Sequence, residues 1–164
     1  MRIEQVMTRN VVVCNVNDNL NHAAQLMWEN HCGTVAVISA DGDGTVVGFL
    51  TDRDVCMAAY TQGKSLWEIP VSVAMARKVI SCRVGDDLKL AELLMRENRV
   101  RRLPVVDTYG RLQGIISIND LATEAERERM ESGKETVSLE VAETLAEICR
   151  PRIVREMTEP PTAI

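Results

Sequence analysis

Residues 7–39, MTRNVVVCNVNDNLNHAAQLMWENHCGTVAVIS, and residues 75–107, MARKVISCRVGDDLKLAELLMRENRVRRLPVVD, are two versions of one segment. Laid over each other at an offset of 68 positions, they share 13 identities in 33, among them Met7 with Met75, Cys14 with Cys82, Asp18 with Asp86, Ala23 with Ala91 and Met27 with Met95. Self-similarity at a fixed period marks a repeat architecture, and here it decides the fold. Past this segment the offset becomes 66, because the turn Asp41-Gly42-Asp43 makes the first copy two residues longer. Gly44 then matches Gly110, Gly48 matches Gly114, Thr51 matches Ser117 and Asp54 matches Asp120.

Each copy reads as strand, helix, strand, strand, helix. The β-branched runs Val11-Val12-Val13 and Val79-Ile80 predict the first strands. Helices follow over about 19–30 and 87–98, with Asp18 and Asp86 placed as N-caps. Their apolar faces are Leu20, Ala23, Leu26, Met27 and Leu88, Ala91, Leu94, Met95. Hairpins 34–39 with 46–51 and 103–107 with 112–117 carry Gly42, Gly44 and Gly110 in their turns, and a second helix begins at Thr51 and at Ser117. The connector 63–70 has its own capping signal, Ser65-x-x-Glu68. A unit of about sixty residues buries little core alone, so the two should pack about a pseudo-twofold axis. The expected fold is α+β, with repeat 1 over 1–64, repeat 2 over 65–126 and a C-terminal helix with a loose tail over 127–164. Leading into that last part, a charged stretch, 124–131, breaks near Ser132-Gly133. Val137, Val141, Leu145 and Ile148 then form an apolar stripe that ends before Pro151, and Glu159-Pro160-Pro161 marks the tail. The stripe packs back on its own domain or makes a dimer contact.

Apolar residues at 46% and charged residues at 26% are the balance of a folded domain. Aromatics at 3% leave few stacking platforms, and a formal charge of -5 repels a polyanion, so polymeric nucleic acid is not an expected partner. Five cysteines at 14, 32, 56, 82 and 149, without a CxxC pair, read as reduced thiols in a cytoplasmic protein rather than as a disulfide or zinc framework. Cys14 and Cys82 are expected to be buried and inert, a redox role being the sharper alternative. His22 and His31 read as helix-surface residues. No stretch reaches the ~18 apolar residues of a membrane helix, and 1–8 lacks an apolar signal core. The histidines have no nucleophile or acid partner, and neither a phosphate-binding Gly-rich loop nor a carboxylate–His metal cluster is present, so catalysis, metal and cofactor are not expected.

Val6-Met7-Thr8, Arg102-Leu103-Pro104-Val105-Val106-Asp107, Gly48-Phe49-Leu50-Thr51-Asp52-Arg53-Asp54 and Gly114-Ile115-Ile116-Ser117-Ile118-Asn119-Asp120, in two ordered sets, resemble the CBS (cystathionine-beta-synthase-type) domain family over about 3–126. The resemblance implies a stand-alone pair, or Bateman module. Such a pair is a non-catalytic sensor binding AMP, ADP or ATP, or alternatively S-adenosylmethionine, in the cleft between repeats. It also implies a homodimer that passes ligand occupancy to an effector protein of unknown identity.

A nucleoside site needs an acceptor for the ribose diol, a neutral slot for the purine and donors for phosphate. Asp54 and Asp120 can each accept hydroxyl protons, and the resemblance assigns ribose to that position. Thr51 and Ser117 sit at strand-to-helix junctions, where N–H groups and the helix dipole favour an anion. Both Thr51-x-x-Asp54 and Ser117-x-x-Asp120 equally fit a helix cap, and the two roles can coexist. Arg53 adds a charged donor where the second copy has Asn119. Arg101 and Arg102, before Pro104, are the positions from which similar repeats reach phosphate, and Lys78 is an alternative donor. Val11, Val12, Val79 and Ile80, with Val35 and Leu103 at the hairpins, are the choices for the purine slot, each of them also readable as plain core. A competing reading is a protein-interaction scaffold with a vestigial, filled cleft, because Gly33-Thr34-Val35-Ala36-Val37 lacks the Pro and basic residues of its counterpart.

Overall fold

The computed structural model describes residues 1–132 and 136–150. Each repeat forms a three-stranded sheet. In the first, β1 (Val13–Asn15) pairs parallel with β2 (Thr34–Ile38), which pairs antiparallel with β3 (Val46–Thr51). In the second, β4 (Cys82–Arg83), β5 (Arg102–Val106) and β6 (Leu112–Ser117) repeat that order. The registers are equivalent to the residue: Cys14 faces Val37 as Cys82 faces Val105, and Val37 faces Gly48 as Val105 faces Gly114. The duplication seen in the sequence is therefore a duplication of pairing.

Parallel strands need a crossover, supplied by α1 (Leu20–Glu29) and α4 (Leu88–Asn98). Their buried faces are Leu20, Ala23, Met27 and Leu88, Ala91, Met95. The caps lie one residue beyond the expected ones. Asn19 accepts from the His22 backbone N–H at 3.0 Å and Asp87 from that of Lys89 at 3.0 Å. Asp18 and Asp86 are occupied one step earlier, accepting the N–H groups of Asn15 and Arg83, each at 2.7 Å, to close the turn out of the first strand. The connector adopts its capping box, with Ser65 and Glu68 bounding a 3-10 turn at Leu66–Glu68.

The first strands begin later than the β-branched runs predict. Val11, Val12, Val79 and Ile80 lie outside the sheets, because the backbone there is in transit between two sheets. Thr8 bridges Ile115 of the opposite hairpin and Ala76 bridges Phe49, before each chain segment returns to its own sheet. Side chains follow the same exchange. Ile3 and Met7 are buried in the core of the second repeat, while Ile69, Val71 and Met75 are buried in that of the first. The short α3 (Val71–Ala74) and the 3-10 turn Ile3–Gln5 carry these crossing residues. Each crossing grazes a glycine. A Cβ on Gly48 would sit 2.5 Å from Met75 Sδ, and one on Gly114 would sit 2.8 Å from Met7 Sδ and 2.9 Å from the Thr8 carbonyl.

Two further helices, α2 (Asp52–Gln62) and α5 (Ile118–Ser132), leave the third strands. The final helix, α6 (Thr136–Cys149), packs against α4 and α5, with Val141 and Ile148 on the second core. Of the two expectations for the apolar stripe, packing on its own domain is what is found, although Leu145 remains exposed. The Val137 side chain, Gly133, Pro151 and Glu159-Pro160-Pro161 lie outside the described residues. Ion pairs run along the α4–α6 seam: Lys89–Glu140 at 2.9 Å, Arg96–Glu143 at 3.8 Å and Arg99–Glu147 at 3.5 Å.

Glu92 is buried in this seam, only 7% exposed. Loss of hydration, and next the Glu140 carboxylate, push its carboxyl up from 4.5 to about 7, with Lys89 opposing and Asp87 reinforcing the rise. The folded protein therefore holds a proton that the unfolded chain releases near pH 4.5. Stability from this group is full below pH 4.5 and is lost as the pH climbs through about 7. Glu92→Gln removes the dependence. Its gain in stability over the wild type should reach roughly 2 to 3 kcal/mol at pH 8 and shrink towards zero at pH 5, which thermal or urea denaturation at the two pH values checks.

Candidate functional site

The exchange of segments leaves a cleft of about 600 Å³ between the repeats. One wall is the end of β3 and the start of α2, from Phe49 through Thr51 to Asp54. Opposite lies the transit segment with Ala76, Lys78, Val79 and Ile80, and the third wall is Arg99 to Arg102 with Pro104. Gly33 and Thr34 complete the lining. The site is thus assembled from both repeats, so Arg101 and Arg102 stand with Thr51 and Asp54 although the sequence places them in the other copy.

At its floor is a capping box. The Asp54 backbone N–H donates to Thr51 Oγ1 at 3.2 Å, and Asp54 Oδ2 accepts from the Thr51 N–H at 2.9 Å and from its hydroxyl at 2.7 Å. Both contacts to the carboxylate use the same oxygen, Oδ2, leaving Oδ1 without a hydrogen-bond donor among the described residues. Ser117 and Asp120 build the same box, with Ser117 N–H donating to Asp120 Oδ2 at 2.7 Å. There, however, Thr8 donates its hydroxyl to Asp120 Oδ1 at 3.3 Å. Ala76 occupies the position equivalent to Thr8, so Asp54 has no such donor.

The charges are strongly uneven. Arg53, Lys78, Arg99, Arg101 and Arg102 line the cleft against only two carboxylates, Asp52 and Asp54, in a chain whose formal charge is -5. Arg102 donates to Thr34 Oγ1 at 3.3 Å, which ties the two repeats together at equivalent positions. Arg99 pairs with Glu147. Arg53, Lys78 and Arg101 form no ion pair with another described residue. Cations converging on an open cleft suit an anionic ligand.

A family model for the CBS domain matches residues 3–60 and 69–127. The chain belongs to the CBS domain family. It is 33% identical over 120 residues to the CBS domain-containing protein YhcV of Bacillus subtilis, covering 73% of this chain and 82% of that one. Among solved structures, the CBS domain protein TA0289 of Thermoplasma acidophilum superposes with a TM-score of 0.72 at 26% identity, over 90% of this chain and 75% of that one. The CBS domain protein PAE2072 of Pyrobaculum aerophilum, solved in complex with AMP, superposes with a TM-score of 0.69 at 22% identity, over 87% and 98% respectively, a likeness of fold.

Of the residues singled out from sequence, Thr51, Arg53, Asp54, Val79, Ile80, Arg101, Arg102 and Pro104 are brought together in this cleft of the CBS pair, with Lys78 beside them. Ser117, Asn119, Asp120, Val11 and Val12 are not among its lining residues and occupy the positions equivalent by the repeat. Leu103 and Val35 are fully buried core residues of the two repeats and are not among the residues lining this cleft. Phe49, Asp52, Ala76, Arg99 and Val100 line the cleft without having been picked out. The segment exchange brings Ala76 there, whereas Phe49, Asp52, Arg99 and Val100 flank residues that the sequence had already pointed to. Cys14 and Cys82 are buried free thiols whose pKa is pushed up to about 12, first by burial and then by Asp18 and Asp86, which makes them poor nucleophiles. Among the described residues no helix is long and apolar enough to cross a membrane.

Because the carboxylates close caps, ligand and stability effects of mutating them must be separable. Asp54→Ala should cost about 1 kcal/mol of stability without any ligand, and Asp120→Ala about the same, whereas Asp54→Asn keeps a capping oxygen and should stay within a few tenths. Denaturation of the ligand-free variants measures this directly.

Proposed function

We propose that this CBS pair is a non-catalytic regulatory module that binds an adenosine nucleotide, AMP, ADP or ATP, in the cleft at Thr51 and Asp54. The observation that carries the reading is the juxtaposition of Asp54 Oδ1, which accepts from no described residue, with Arg53, Lys78 and Arg101, cations that form no ion pair with another described residue. The carboxylate accepts the ribose diol while the cations take the phosphates. Phe49, Val79 and Ile80 supply apolar faces for the purine. The complex of PAE2072 with AMP supports the class of ligand. S-adenosylmethionine, a sulfonium, is disfavoured by a cleft with an excess of cations. A scaffold with a vestigial cleft predicts a filled gap, and this one is open.

The two clefts should be unequal. Arg53, Lys78 and Arg99 have Asn119, Asn10 and His31 as their counterparts, and Asp120 is already engaged by Thr8. The second cleft therefore offers fewer cations and a less available carboxylate. Five free thiols fit the reducing setting of a cytoplasmic protein.

Isothermal calorimetry with AMP, ADP, ATP and S-adenosylmethionine tests the reading. One strong site for an adenosine phosphate is expected, weakened about ten-fold or more by Asp54→Asn, in line with loss of a charge-assisted hydrogen bond, and little changed by Asp120→Asn. Absence of heat with all four compounds would reject it.

The pair also works as a homodimer in this reading. The first repeat exposes Trp28 on α1 at 84% and, on α2, Tyr60 at 80% together with Met57, whereas α6 packs on the corresponding helices of the second repeat. Sedimentation equilibrium should give twice the chain mass for the wild type and a shift towards monomer for the Trp28→Ala, Tyr60→Ser double variant. A wild-type monomer at high micromolar concentration would refute the dimer.

A further inference from the structure

Arg99 belongs to two places at once. It follows the last turn of α4 in a left-handed conformation, φ 52°, and lines the cleft next to Val100 and Arg101. Its guanidinium also reaches Glu147 of α6, Nη2 to Oε1 at 3.5 Å. The other ion pairs of the seam, Lys89–Glu140 and Arg96–Glu143, involve no residue of the cleft lining, so Arg99 is where cleft and helix meet.

That contact is weak. It is long and single rather than bidentate, and its two side chains keep 35% and 27% of their exposure. Glu147 has a second partner, Arg150 Nη2 at 3.0 Å on the opposite oxygen, so it stays paired if Arg99 turns away. A phosphate in the cleft offers Arg99 more charge and more acceptor oxygens than one carboxylate does.

Resting on the nucleotide-binding reading above, we propose that Arg99 is a phosphate ligand shared with Glu147, so that nucleotide in the cleft draws Arg99 off α6 and loosens the docking of the C-terminal helix. The cleft is thereby coupled to α6, which packs on α4 and α5 of the second repeat. The coupling is reciprocal by linkage: the factor by which nucleotide weakens α6 docking through this pair is the factor by which losing Glu147 strengthens nucleotide binding. An exposed ion pair carries a factor of roughly two to five.

Calorimetry and amide hydrogen exchange on the full chain, with ATP and AMP as probes, test this. In the wild type, ATP should speed exchange across α6 by roughly two- to five-fold, within the worth of that pair. Glu147→Gln should raise ATP affinity by a similar factor, show faster α6 exchange already without ligand, and respond no further to ATP. Arg99→Gln should bind ATP more weakly than AMP affinity falls, with α6 exchange indifferent to nucleotide. Heat of binding in the wild type with unchanged α6 exchange, or unchanged ATP affinity in Glu147→Gln, would overturn the coupling while leaving nucleotide binding standing. No heat with either probe would overturn both.

Discussion

The passage of Met7 across Gly114 and of Met75 across Gly48 is the contact on which the rest of this structure depends. There is no room for a Cβ at either glycine, so the crossing segments lie directly on the opposite hairpins, and their backbones pair there through Thr8–Ile115 and Ala76–Phe49. Each core is completed by side chains from the segment that leads into the other repeat. Neither sheet buries its apolar face alone, which makes the pair one cooperative unit rather than two small domains in contact. The cleft follows from the same crossing. A segment that leaves one hairpin and returns to its own sheet must span the gap between them, and residues 77–81 do so as a wall.

The internal symmetry is kept and broken in different places. Strand registers, caps, crossing methionines and hairpin glycines agree between copies because each is set by close packing or by a backbone conformation. The positions that face the open cleft are under no such constraint. There Lys78 stands against Asn10, Arg53 against Asn119, and Ala76 against Thr8. The last pair has the largest chemical effect for its size: one hydroxyl occupies the second acceptor oxygen of Asp120 and its absence leaves that of Asp54 open. Charge and acceptor availability therefore favour the same cleft.

Much of this was legible from 13 matched residues. The repeat predicted two equivalent units, the helical faces, the hairpins and the caps at Thr51 and Ser117, because these follow from local periodicity and turn chemistry. The helix caps at Asn19 and Asp87 were misplaced by one residue, since two adjacent side chains can both accept and only the turn geometry decides between them. Val11, Val12, Val79 and Ile80 have the composition of strands but no neighbour to pair with, and pairing is a tertiary fact. The grouping of Arg101 and Arg102 with Asp54 was beyond reach for the same reason: a repeat reading assigns residues to copies, whereas an exchanged fold builds its site across them.

The C-terminal helix obeys a different balance from the repeats. Val141 and Ile148 anchor it on the second core, while much of its remaining seam with α4 consists of partly exposed ion pairs, each worth about 1 kcal/mol or less. Glu92, buried opposite Glu140, adds a penalty once it ionises. Among the described residues, Val141 and Ile148 are the apolar contacts of α6 with the second core, and its seam with α4 is charged. The exchanged cores have no comparable weakness, since fully buried Ile3, Val71, Leu20 and Leu103 lock them together. Differential stability of this kind is what a responsive element requires, because a ligand shifts only equilibria that lie within its own differential binding energy. The partly exposed ion pairs of the α4–α6 seam are contacts on which so small an energy can act.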